Sequence, residues 1–278
     1  MSKIIHLGID WEDFALIFYD NKKIKDYKLF KQDFYNENDY LIYFLKKESI
    51  KAIFFCNGRT AETYPEVVQE IVKNGHYVEA HGYLHKPRNF FSDQEFYEDS
   101  LKVKNILEDL IHQEIRGYRS PYLSLDKSNY ISSLEILHDA GYKYDSSITY
   151  STYSQIRKND HKRMRYIENK IKINTLFSTS LLNLNINLAG GSIWRLLPSK
   201  FIEKVLNIDK TQKKVSFYFH PYEFGRNINV DRALDLDSPR FKKLICWLRW
   251  NLGRSKIENL IKKLNNLDKV KFESESFY

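Results

Sequence analysis

Gly75-His76-Tyr77-Val78-Glu79-Ala80-His81-Gly82-Tyr83-Leu84-His85 reads as a helix-ending glycine, a short strand over 76–80, and a turn that carries two histidines. Two imidazoles four residues apart point the same way on a helical turn. A carboxylate brought from another strand end would complete a three-ligand metal site with a position left for water, which is the open geometry of a hydrolytic centre. The acidic cluster Asp10-Trp11-Glu12-Asp13 is the candidate source. Spacing alone is a weak signal, since 8 histidines in 278 residues will sometimes fall four apart by chance. Gly82 also stands where the helical metalloprotease motif carries its Glu, so that motif is excluded. The surrounding chain has to decide.

Working outward from this stretch, strands and helices alternate. Residues 3–10 alternate in polarity and end in the acidic cluster, 39–48 reads as a short helix, and 51–56 is the continuous apolar run of a buried strand. The helix predicted over 63–74 turns Val67, Val68, Ile71 and Val72 inward and stops at Gly75, a residue suited to the left-handed position beyond a helix end. Ser92 and Glu95 form a capping box for a helix reaching about Ile111. Strands follow at 116–118, 142–145 and 215–219, with a helix over 134–140. Every polar candidate then sits just after a strand, and in parallel α/β folds those strand ends share one face where sites are built. Asp10, the His pair, Arg119, Asp145 and His220 are expected to converge there.

With 42% hydrophobic residues, 18 Phe and 20 Tyr, the chain has ample material for a core. Nothing reads as a linker, so one domain over 1–278 is expected, with C-terminal helices over about 239–265 packed on it. Two cysteines, Cys56 and Cys246, make no disulfide framework and fit reduced buried thiols. No signal-peptide pattern or membrane-length apolar run is found, which makes a cytoplasmic location the expectation. The formal charge of +8 mixes 44 basic with 36 acidic residues, and no nucleic-acid-binding motif accompanies it, so a solvated surface is expected and no nucleic acid partner. The densest basic stretch, 241–250, places Phe241, Leu244, Ile245 and Leu248 at helical spacing. That pattern fits a helix packed on the domain, and its two tryptophans beside Lys and Arg leave peripheral contact at the inner membrane open.

Taken in order, Gly8-Ile9-Asp10-Trp11-Glu12-Asp13-Phe14, Ala52-Ile53-Phe54-Phe55, the His81–His85 segment, Arg119-Ser120-Pro121-Tyr122, Tyr144-Asp145-Ser146-Ser147-Ile148 and Phe219-His220-Pro221 resemble the polysaccharide deacetylase family of carbohydrate esterases. Ala189-Gly190-Gly191-Ser192 and His220-Pro221-Tyr222-Glu223-Phe224 look like the branch associated with bacterial exopolysaccharide and surface-glycan synthesis. The resemblance implies an α/β fold, an irregular (β/α) barrel of about seven parallel strands, and removal of an N-acetyl group from an amino sugar with one divalent metal ion. Zinc is the expected ion, although histidine and carboxylate ligands also accept cobalt or nickel.

On that resemblance His81 and His85 are metal ligands, Asp10 is the general base, Arg119 holds and ionises it, and His220 protonates the departing amine. A backbone N–H near Tyr122 shares the oxyanion with the metal. Asp145 either orients His220 or caps the following turn. The third ligand is Glu12 if strand alternation persists, because positions 10 and 12 then share a face, or Asp13 if the chain turns after Asp10. Gly190 and Gly191 suit a turn or a close approach to substrate, and Trp194 and Tyr222 suit sugar stacking or core packing. The implied partner is an N-acetylated sugar or glycan intermediate. Two other readings stand beside it: hydrolysis of a cyclic ureide or imide on the same fold, and a non-catalytic glycan-binding protein. The oligomeric state is not readable.

Overall fold

A computed structural model describes residues 3–13, 27–181, 184–225, 240, 241, 244, 248 and 251–275. Strand β1 (Lys3–Trp11) lies at the centre of a parallel sheet and pairs β2 (Ile53–Cys56) from Gly8 to Trp11. The sheet continues through β3 (Tyr77–Ala80), β4 (Gly117–Tyr118), β5 (Tyr144–Asp145) and β6 (Lys172–Ile173). A small antiparallel hairpin, β7 (Ser178–Leu181) and β8 (Leu184–Asn187), stands apart from it. Strand β9 (Lys214–Phe219) pairs β1 from Ile4 to Ile9, and β10 (Val270–Phe272) pairs residues 3–5 of β1. Isolated parallel bridges Thr149–Leu176 and Leu176–Ser216 link the region after β5 to β9, so the sheet curls into the expected irregular (β/α) barrel. The described residues give eight parallel strands in it, the extra one being the three-residue β10.

The outer helices follow from local rules, with informative departures. The helix α1 (Tyr27–Lys47) is longer than the 39–48 reading. Its buried positions Phe34, Asn38, Leu41 and Leu45 keep helical spacing, but Asn38 interrupts the apolar stripe because its side chain receives Trp11 Nε1–H at 2.5 Å. The helix expected over 63–74 forms as α3 (Pro65–Lys73), and a further short helix, α2 (Gly58–Thr63), precedes it. Pro65 has no N–H to continue α2 yet is well placed at the first turn of α3. A nine-residue helix is unstable alone. Burial of Val67, Val68 and Ile71 supplies about 1.5–3 kcal/mol per side chain and fixes it to the sheet. Gly75 follows with φ +76°, as expected. The capping box at Ser92 opens α4 (Asp93–Ile111) as read from the sequence. Next come α5 (Tyr130–Asp139), α6 (Tyr150–Asn159), α7 (His161–Glu168), α8 (Gly191–Leu196), α9 (Ser199–Ile208) and α10 (Arg254–Asn265).

Cys56 is a free, buried thiol, while Cys246 lies outside the described residues. Phe241, Leu244 and Leu248 are helical but exposed, not packed on the barrel; 242–243, 245–247 and 249–250 lie outside the described residues. No helix among the described residues is long and apolar enough to cross a membrane.

Candidate active site

Strand alternation runs to the end of β1 and past it. Ile9 and Trp11 enter the core, while Asp10 and Glu12 turn to the strand-end face. Asp13 turns back: its carboxylate accepts Tyr64 O–H at 2.6 Å and its N–H donates to Thr60 Oγ1 at 3.2 Å. Glu12 is therefore the carboxylate that joins His81 and His85 in a buried cluster whose ligand atoms all lie within 4.8 Å of one another. Glu12 Oε2 stands 3.8 Å from His81 Nε2 and touches His85 Nε2.

The His pair is not on a helix. Gly82 and His85 both adopt left-handed backbone, φ +65° and +51°, which breaks the turn and folds His85 back toward His81. Two polar side chains from other elements hold this loop. Asn57 Nδ2–H donates to the carbonyls of Gly82 and Tyr83 at 2.9 and 3.0 Å, and Asp99 of α4 accepts the N–H groups of Tyr83 and Leu84, both at 2.9 Å. Asn57 also caps α2, accepting the Thr60 N–H at 3.1 Å, but no local pattern marks either residue's hold on this loop, which is distant in sequence.

His81 Nδ1 lies 2.8 Å from the Arg119 carbonyl, which leaves Nε2 facing Glu12. Burial pushes the His81 pKa down to about 4, so the ring is neutral near pH 7. Burial alone would raise Glu12, but the neighbouring His85, His220 and His81 more than reverse it and hold the carboxyl at about 2. A neutral imidazole and an ionised carboxylate are the states that bind a cation. His85 Nδ1 is buried with no hydrogen-bond partner among the described residues, and Glu12 Oε2 and His85 Nε2 have none beyond each other. Two ligands at about 2.1 Å from one tetrahedral ion stand roughly 3.4 Å apart, close to the Glu12–His81 separation, so the donor set fits a divalent metal.

Arg119 is wholly buried, not a surface cation. Its Nη1–H donates to Asp10 Oδ1 at 2.7 Å, its Nε–H to the Ser146 carbonyl at 3.0 Å and its Nη2–H to Ser146 Oγ at 2.9 Å. The guanidinium lies 3.8 Å from the centre of the Phe55 ring. Gly8 makes this possible, since a Cβ there would stand 2.6 Å from Arg119 Nη1.

His220 follows β9, with Nε2 3.5 Å from Glu12 Oε1. The carboxylate that faces its other nitrogen is Glu223, not Asp145. Glu223 Oε2 lies 3.3 Å from His220 Nδ1 and accepts the His220 backbone N–H at 3.0 Å, while Oε1 is 3.2 Å from Arg195 Nε. Burial disfavours a charged His220, but Glu223, Glu12 and Asp10 outweigh it and push the pKa up to about 9. Asp145 instead accepts Tyr130 O–H at 3.1 Å and the Ser147 N–H at 3.0 Å, capping the turn whose Ser146 grips Arg119. Glu223 was visible as the last acidic residue of a short motif, but its role depends on a turn the sequence does not announce.

Other expectations change. Trp194 is a core residue, 1% exposed, packed 4.7 Å from Phe217 with Nε1–H donating to the Leu188 carbonyl at 2.8 Å. Gly190 and Gly191 have no positive φ; they leave room, since a Cβ on Gly191 would stand 2.3 Å from Glu223 Oε2 and one on Gly190 2.6 Å from the Tyr218 hydroxyl. Tyr222 stacks on His220 at 4.9 Å, and the half-exposed Tyr122, at φ +58°, covers His85 with ring centres 4.8 Å apart.

A parallel (β/α) barrel whose strand ends gather a Glu-His-His cluster between an Arg-held aspartate and a Glu-held histidine defines a class of protein. The profile described as Polysaccharide deacetylase matches residues 29–144, and one described as Domain of unknown function (DUF3473) matches residues 155–274. The peptidoglycan deacetylase of Helicobacter pylori is 31% identical over 114 residues, 41% of this chain and 38% of that protein. The peptidoglycan-N-acetylglucosamine deacetylase of Bacillus cereus is 32% identical over 78 residues, 28% of each chain. The chain thus spans well under half the length of these relatives. Among solved structures, one from Mycobacterium smegmatis assigned as a polysaccharide deacetylase superposes with a TM-score of 0.63 at 15% identity, over 99% of this chain and 88% of that one. The match to the polysaccharide deacetylase family thus lies in residues 29–144. The region of the second profile supplies β9 and β10 to the same sheet, and with β9 the strand that leads to His220.

Proposed function

We propose that this chain is a divalent-metal-dependent N-deacetylase acting on an acetamido sugar in the building of a bacterial surface glycan, with zinc as the ion and the whole of 1–278 as one catalytic domain. The observation that carries the reading is the buried Glu12–His81–His85 cluster with Asp10 and His220 beside it. The two curated relatives, named as peptidoglycan deacetylases, support the substrate class.

Glu12, His81 and His85 would hold the metal. When bound, it supplies Lewis acidity toward the acetamide oxygen and makes water acidic near neutral pH. Asp10, held in place by Arg119, takes the proton of the attacking water at its carboxylate. His220, protonated and oriented by Glu223, delivers a proton to the amine nitrogen as the C–N bond breaks. A backbone N–H beside Tyr122 contributes to the oxyanion, and Tyr222, stacked on His220, offers a ring face to the sugar.

The test is acetate release from N-acetylglucosamine oligomers, peptidoglycan fragments and a cyclic imide, with metal content measured on the same samples. Release from the acetamido sugars, with Asp10→Asn retaining metal but slowed at least about 100-fold, is expected. Turnover of the imide alone, or full activity in Asp10→Asn, overturns the proposal.

A further inference from the structure

The residues that follow the barrel's last long strand form a surface the site does not use. Phe241, Leu244, Leu248 and Leu252 are 61%, 58%, 39% and 49% exposed, at steps of three, four and four residues. The first three are helical, so these steps keep them on one face. Leu196, 65% exposed, comes to the same corner: it follows Arg195, whose carbonyl would lie 2.5 Å from a Cβ on Gly253. Lys256 Nζ–H also donates to that carbonyl, at 3.1 Å. Four large apolar side chains in a row are more than the scattered exposure of an ordinary surface.

The sequence through this segment carries charge of one sign. From residue 240 to 257 the chain reads Arg-Phe-Lys-Lys-Leu-Ile-Cys-Trp-Leu-Arg-Trp-Asn-Leu-Gly-Arg-Ser-Lys-Ile, with six cations and no acid. Arg254 is buried, and the described Arg240 and Lys256 are exposed. A second copy of the chain is a poor occupant, because a twofold contact would set one acid-free, cation-rich segment against another. Nucleic acid would meet the cations but leave the leucines and phenylalanine in water. An anionic bilayer answers both features: acyl chains take the apolar face and acidic headgroups the cations, with Trp247 and Trp250 of residue types suited to the interface.

We propose that the face formed by Phe241, Leu244, Leu248 and Leu252 docks on the surface of an anionic lipid bilayer. The approach of Leu196 to this corner ties the face to α8, whose Arg195 pairs with Glu223, so the docked surface adjoins the element that supports His220.

The full chain is floated with vesicles of phosphatidylglycerol mixed with phosphatidylcholine, and with vesicles of phosphatidylcholine alone. Binding to the first, weak binding to the second and loss with rising salt are expected. The triple variant F241S/L244S/L248S should bind at least tenfold more weakly and Arg240→Glu several-fold more weakly, with unchanged circular dichroism and unchanged acetate release from a soluble substrate. No flotation with anionic vesicles, or equal flotation of the folded triple variant, overturns the proposal. So does a dimer in solution that the triple variant converts to monomer, because a second copy then covers the face.

Discussion

Glu223 lies one short turn beyond His220 and is fully buried against Arg195. Its carboxylate spans the His220 backbone and ring, so it sets both the position of the imidazole and the ionisation that proton donation needs. Glu223→Gln keeps the shape and loses the charge. A 10- to 100-fold fall in kcat with metal content unchanged is expected, about what removing a charge-bearing support of a working group costs; kinetics beside metal analysis on the same protein check it. Gly8 is the corresponding position for Asp10. The added Cβ of Gly8→Ala would press on Arg119, which three hydrogen bonds prevent from moving, and on the Phe217 carbonyl at 3.0 Å. Overpacking of this kind costs about 1–3 kcal/mol. Urea unfolding should show that loss, together with reduced turnover from a displaced Arg119.

At the scale of elements, β1 and the residue just before β3 are histidine positions that titrate against folding. Burial, with Lys214 and Lys172 nearby and Glu273 opposing them, holds His6 down at about 3, and burial with Lys51 holds His76 at about 4. An unfolded chain protonates both near 6.5. The unfolded state therefore binds more protons between about pH 6.5 and 3, and stability falls as pH falls through that window. Each proton contributes a slope of up to about 1.4 kcal/mol per pH unit. Denaturation midpoints taken across the window should fall less steeply for His6→Gln than for the natural chain, and equal slopes would remove His6 from the account. The loop from His81 to His85 shows the opposite economy: no helix organises it, and Asn57 and Asp99 hold its backbone from two sides.

Across the whole molecule, the cluster ties β1 to the loop after β3 and, through His220, to the end of β9. A cation bound there crosslinks two parts of the fold, the end of β1 and the loop after β3, that meet only when it is folded. Free metal at a thousand times its Kd stabilises the folded state by about 4 kcal/mol. Removing metal with a chelator should lower Tm, restoration of zinc should recover it, and His85→Ala should abolish the difference between the two states; identical melting with and without zinc would leave the cluster without a metal role.

The barrel class came through resemblance to a family; the sequence by itself determined the alternation of strands and helices, the acidic cluster and His pair at strand ends, the capping box at Ser92 and the glycine stop at Gly75. Those signals are local, written in strand alternation, helical spacing and caps that need only neighbouring residues. Only the tertiary structure decided that Glu12 faces the histidines while Asp13 turns to Tyr64, that Glu223 and not Asp145 meets His220, that Trp194 belongs to the core, and that Phe241, Leu244 and Leu248 are exposed. Each of those depends on what packs opposite. Arg119 reaches Asp10 across 109 residues of chain, and a side chain's partner at that distance is chosen by how strands and helices pack, which no local pattern records.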